Sequence, residues 1–118
     1  MVELKLFGAC AECQVGATYE AFEDVRSVGI DETEGRFADV VIERCRSCGA
    51  HWVRYYVEYE AFSRSGRWAR GWIEPEHAQT IPAEDVTQYL ASLESFAYGG
   101  SYWGHAGAIG KGNLVWSP

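Results

Sequence analysis

The sequence predicts an α+β fold of antiparallel β-hairpins, with one helix in the C-terminal half and an irregular glycine- and aromatic-rich tail. Three observations predict it. Residues from Trp52 onward alternate with the two-residue period of a strand that shows its two faces to different surroundings. Pro82 followed by Glu84 and Asp85 stands ahead of an apolar stripe at helical spacing. Beyond Gly99, glycines are mixed with Tyr102, Trp103 and Trp116, with neither period visible. The 118 residues are enough for one core and too few for two, so residues 1–118 read as a single domain. Five Trp and seven Tyr give that core large apolar areas to bury.

The elements follow in order. Residues 15–28 mix Val, Thr, Tyr and Phe with polar residues and read as a strand; the acidic stretch 31–35, ending on Gly35, reads as a turn. Residues 37–43, around Val40, Val41 and Ile42, read as the returning strand. Between Trp52 and Phe62, the residues Val53, Tyr55, Val57 and Tyr59 point one way; Trp52, Arg54, Tyr56, Glu58 and Glu60 point the other. A turn over Ser63–Gly66 leads into a strand from Arg67 to Ile73 with Trp68, Arg70 and Trp72 on one face. The helix is expected over about residues 83–96, on the stripe Val86, Tyr89, Leu90, Leu93 and Phe96.

Chemistry concentrates in the cysteines. Cys10-Ala-Glu-Cys13 and Cys45-Arg-Ser-Cys48-Gly49 each set two sulfurs across a tight turn, from which both thiolates can reach one ion at about 2.3 Å. Gly49 suits a knuckle that bends back through positive φ; the first pair has Gln14 and Val15 before Gly16. Four unrelated buried cysteines would not fall into two such pairs. A thioredoxin-like redox pair needs a strand-to-helix context that neither unit has. Cys10, Cys13, Cys45 and Cys48 therefore read as the ligands of one structural zinc. The 31 residues between the pairs call for an elongated hairpin between them. The two knuckles resemble those of zinc-ribbon proteins, and the likeness covers the metal site and its adjoining strands. It implies a zinc ribbon with a closed, non-catalytic centre. The outline of a short acidic domain also resembles small bacterial proteins, among them toxin-immunity partners, a likeness that assigns no residue a role.

Other motifs are few. His51 follows Cys48 by three residues, where a strand would carry it past the metal; His77 and His105 stand in loop-like sequence. No Ser-His-Asp order, P-loop or dinucleotide fingerprint is present. The net charge of −7 is unevenly spread: −7 over residues 1–43, +4 over 44–73 and −4 over 74–118. The basic block holds Arg54, Arg64, Arg67, Trp68, Arg70 and Trp72, types that suit an interface or a nucleic-acid surface. The acidic total disfavours nucleic acid. The expectation is a non-enzymatic zinc-binding module that binds another protein, an immunity or regulatory partner, through Arg67, Trp68, Arg70 and Trp72. A nucleic-acid-binding ribbon and a small enzyme using His105 or His77 are the alternatives. Residues 1–9 resemble neither a signal peptide nor a membrane span, which leads to the expectation of a cytoplasmic protein without a membrane partner.

Overall fold

The structure, a computed structural model, describes residues 6–58 and 64–114. Six strands form one antiparallel sheet in which every strand pairs with the next in sequence: β1 (Phe22–Asp31), β2 (Ala38–Cys45), β3 (His51–Val57), β4 (Arg67–Ile73), β5 (Phe96–Gly100) and β6 (His105–Gly110). Helical structure is slight. A single turn, α1 (Pro75–Ala78), and a short helix, α2 (Val86–Ser92), lie between β4 and β5. The chain is thus mostly β, with the helices gathered in one connection.

The alternation read in the third strand divides the molecule into two apolar layers. Val53, Tyr55 and Val57 face a core that also takes in Val40, Ile42, Ala69, Ile73 and Phe96, with Val86 and Leu90 of α2 laid over it. Trp52 faces the opposite layer with Phe22, Cys13, Cys45 and Leu6, flanked by Trp68, Trp72 and Ile109. Trp52 and Trp72 are direct cross-strand partners, as are Tyr56 and Trp68. Burial of such bulky pairs on both sides accords with β3 pairing with β2 and β4 without a register shift.

Several expectations need correction. The first strand begins at Phe22 rather than in residue 15's neighbourhood, because 3-10 turns occupy Ala11–Cys13 and Tyr19–Ala21. The strand also shifts register twice against β2, between Asp24 and Arg26 and between Ser27 and Gly29, which bends an edge that would otherwise be open to pairing. The helix is half the expected length. Ala83–Asp85 is a 3-10 turn, α2 ends at Ser92, and Leu93 is already extended with ψ 155°. Phe96 belongs to β5, where it pairs with Gly110 and buries in the core under α2.

As far as Gly110 the tail from Gly99 is mostly regular. Residues 96–110 form the hairpin β5–β6, which extends the sheet by two strands beyond β4. Glycine is required at the register shift of this hairpin: Gly100 has φ 128°, and a Cβ there would stand 2.3 Å from the Gly66 carbonyl oxygen. Trp116 and the end of the expected strand at residues 59–62 lie outside the described residues.

Candidate metal centre and the adjoining sheet face

The β1–β2 hairpin spans the gap between the two cysteine pairs. Phe22 of β1 stands opposite Cys45 of β2, so the 3-10 turn preceding β1 is carried back to the β2–β3 turn. The Arg46 N–H donates to the Ala21 carbonyl oxygen at 2.9 Å and fastens the two together. The second turn is closed by Gly49, whose N–H donates to the Cys45 carbonyl at 2.9 Å while its φ of 77° reverses the chain. No side-chain obstacle lies near a Cβ at Gly49, so the backbone angle alone asks for glycine.

The four sulfurs come together. Cys10 Sγ is 3.5 Å from Cys13 Sγ and 3.8 Å from Cys45 Sγ, and Cys13 Sγ is 3.8 Å from Cys48 Sγ. All four lie within 4.8 Å of one another. Thiolates about 2.3 Å from a tetrahedral ion stand about 3.8 Å apart, so the group can hold one metal ion with little rearrangement. Cys13 and Cys45 are buried, Cys10 is half-buried and Cys48 is exposed. Among the described residues no histidine or carboxylate joins the group.

The backbone prepares the sulfurs for a cation. The Cys10 N–H donates to Cys13 Sγ at 3.2 Å, and the Glu12 N–H aimed at Cys10 draws its thiol down to about 7. Burial pushes the Cys13 and Cys48 thiols up. Metals bind thiolates, so loading such a set releases protons and strengthens as pH rises.

No family model, curated protein or solved structure matches this chain. The site's chemistry must therefore be read from its own residues.

The residues expected to bind a partner do not form one exposed edge. β4 lies between β3 and β5 in the middle of the sheet. Arg67 points to the helix-covered side, is fully buried and has its guanidinium 3.7 Å from the Tyr102 ring. Trp72 is on the cysteine side but is covered by the chain around residue 8: Phe7 meets it edge-on at 5.4 Å, and a Cβ on Gly8 would stand 2.4 Å from its ring. Arg70 is buried, donating from Nε to Glu43 Oε1 at 2.9 Å. Trp68 and Trp72 are each half-buried, and Trp68 has Arg54 and Tyr56 beside it.

The residues of the alternative readings are dispersed over the fold. Of the arginines expected on a nucleic-acid stripe, Arg67 and Arg70 are buried, Arg54 is half-buried and Arg64 is exposed. His77 packs edge-on against Tyr89 and His105 against Tyr98, each at 5.0 Å, so the two mark separate places. His51 opens β3, and its Nδ1 is buried without a partner among the described residues.

The missed polar feature is a buried triad behind the sheet. Tyr55 accepts a hydrogen bond from Arg36 Nε at 2.9 Å and donates to Asp31, whose other oxygen accepts from the Thr33 N–H at 3.0 Å. Sequence separations of 5 to 24 residues hide it. The one sequence signal was a strand-face tyrosine among valines, whose hydroxyl needs a partner when buried.

Proposed function

We propose that the chain is a non-enzymatic zinc-binding module of the cytoplasm that recognises another protein, in an immunity or regulatory role. The observation that carries this reading is the set of four sulfurs within 4.8 Å of one another. Four thiolates complete a tetrahedral sphere and leave no position for substrate or water, which is the property of a structural rather than a catalytic centre. Zinc suits the set because it takes four sulfur ligands without a redox cycle. The cysteine side also carries the half-exposed Trp68 with Arg54 and Tyr56, residue types that dominate protein interfaces.

Elemental analysis of protein purified without chelator tests the metal: one zinc per chain is expected. Iron in its place, or less than about half an equivalent of any metal, overturns the zinc reading. Cys45→Ser removes a buried ligand at the end of β2 and is expected to lose the metal and lower the melting temperature. Affinity capture tests the partner. A complex that survives rising salt supports a protein interface, whereas retention of nucleic acid that collapses with salt overturns it.

A further inference from the structure

We propose that the groove on the cysteine side of the sheet binds a carboxylate side chain from an acidic, aromatic-containing peptide segment of a partner protein. The inference rests on the protein-binding reading above and names the chemistry its partner must present. The groove encloses about 260 Å³. Arg54, Tyr56, Trp68 and Arg70 enter it from β3 and β4, and Tyr19, 75% exposed, borders it from the turn before β1. Pockets for whole small molecules run to about 300–1,000 Å³, so this one suits one or two side chains.

Charge selects the occupant. Arg54 and Arg70 are direct cross-strand partners, an arrangement of like charges that destabilises a sheet. Glu43 lies against both, 2.9 Å from Arg70 Nε and 3.9 Å from Arg54 Nε. Arg70 is spoken for: Glu43 accepts its hydrogen bond, and its guanidinium lies 4.1 Å from the Phe22 ring and 5.4 Å from that of Trp68. Arg54 is not. Its Nε has no hydrogen-bond partner among the described residues, and its side chain is 29% exposed. Two guanidiniums against one carboxylate leave one positive charge, which a single carboxylate neutralises. The aromatic walls add contact for an apolar neighbour in the same segment.

A polyanion fits poorly. Glu23 and Asp24 line the depression adjoining the groove, on the side of β1, together with Glu43, Arg46 and Arg54, and Glu23 is paired with Arg44 and Arg46. Asp24 and the net charge of −7 disfavour a run of phosphates while leaving room for one isolated acid.

The test is an NMR titration of the full, metal-loaded chain with two dipeptides, Ac-Phe-Asp-NH2 and its neutral counterpart Ac-Phe-Asn-NH2, each to about 10 mM, a range that reports millimolar affinity. Saturable shifts centred on Arg54, Tyr56, Trp68 and Arg70 are expected, with the Asn peptide at least about tenfold weaker. Arg54→Gln is expected to weaken the Asp peptide by a similar factor while keeping or raising the melting temperature, since it relieves the cross-strand repulsion. Equal response to both peptides, shifts scattered over the surface, or no response overturns the proposal, as does tighter binding of the oligonucleotide dT10 at the same residues. The comparison of two peptides on the parent chain stands even if the variant misfolds. Capture of one partner protein equally by the parent and by Arg54→Gln overturns the groove and leaves the protein-binding reading intact. Peptide discrimination without any partner capture withdraws that reading and upholds the groove.

Discussion

Individual side chains on the two faces of the sheet have different electrostatic duties. On the helix-covered face, Asp31 is buried with Tyr55 and Arg36. Burial by itself would push its carboxyl up, but donors from Thr33, Tyr55 and Arg36 outweigh that and hold it below the usual 3.8. A carboxyl lowered in the folded state adds stability above its unfolded value, and that contribution fades as pH falls through the folded value. Asp31→Asn is therefore expected to be less stable than the parent at neutral pH. The gap should narrow as pH drops below about 4. Denaturant unfolding of both chains across pH 2 to 7, on a scale of about 1–3 kcal/mol at the neutral end, checks it. A gap independent of pH would show that packing, not ionisation, makes the difference. The triad could not be read from sequence because its members are brought together only by the β1–β2–β3 pairing.

At the scale of elements, the alternation in β3 and β4 was legible because a strand with two dissimilar faces imposes a period of two on its residues. The length of α2 was not. The stripe through Phe96 has helical spacing, yet Phe96–Gly100 pairs on both sides, with β4 through Trp68–Arg70 and with β6. Backbone hydrogen bonds to two neighbouring strands outweigh the last turn of an isolated short helix, whose formation is weakly favoured. The helix rests on β4 at Gly71, where a Cβ would stand 2.5 Å from Leu90 Cδ2 and 2.6 Å from Leu93 Cδ1. Gly71→Ala is expected to lift α2 from the sheet and cost about 1–3 kcal/mol, read as a fall in the denaturation midpoint. Unchanged stability would mean that Leu90 and Leu93 can turn away freely. Val25, skipped at the first register shift, and Ile30, opposite Asp39, are exposed on β1, whose shifts bend the edge of the sheet.

Over the whole molecule, the larger apolar layer lies on the side of α1 and α2, and the cysteines belong to the smaller layer with Leu6, Phe22 and Trp52. A metal held by the four cysteines would tie residues 6–21 and the β2–β3 turn to a sheet whose main core is on the other side. Strong chelation is expected to lower the melting temperature and to release amide protection first across residues 6–21. The central strands β3 and β4 should open later. Hydrogen exchange with and without chelator measures this order. Simultaneous loss of protection everywhere would show that the metal layer and the main core unfold as one unit. Among the described residues no helix is long and apolar enough to cross a membrane.

The sequence by itself determined which four cysteines would meet, since two C-x2-C units point to one shared site, and it determined the paired faces of β3 and β4 through their alternation. Tertiary structure decided which of the predicted interface residues meet solvent. Arg67, Trp68, Arg70 and Trp72 share one strand and, in part, one face, but their exposure depends on what crosses above them. The segment at Phe7 and Gly8 covers Trp72, Glu43 from β2 engages Arg70, and Tyr102 from the β5–β6 turn meets Arg67. It also decided that the glycine-rich tail is a hairpin. A strand completed by neighbours distant in sequence carries no local period of its own, because close backbone approach asks for small residues rather than a pattern.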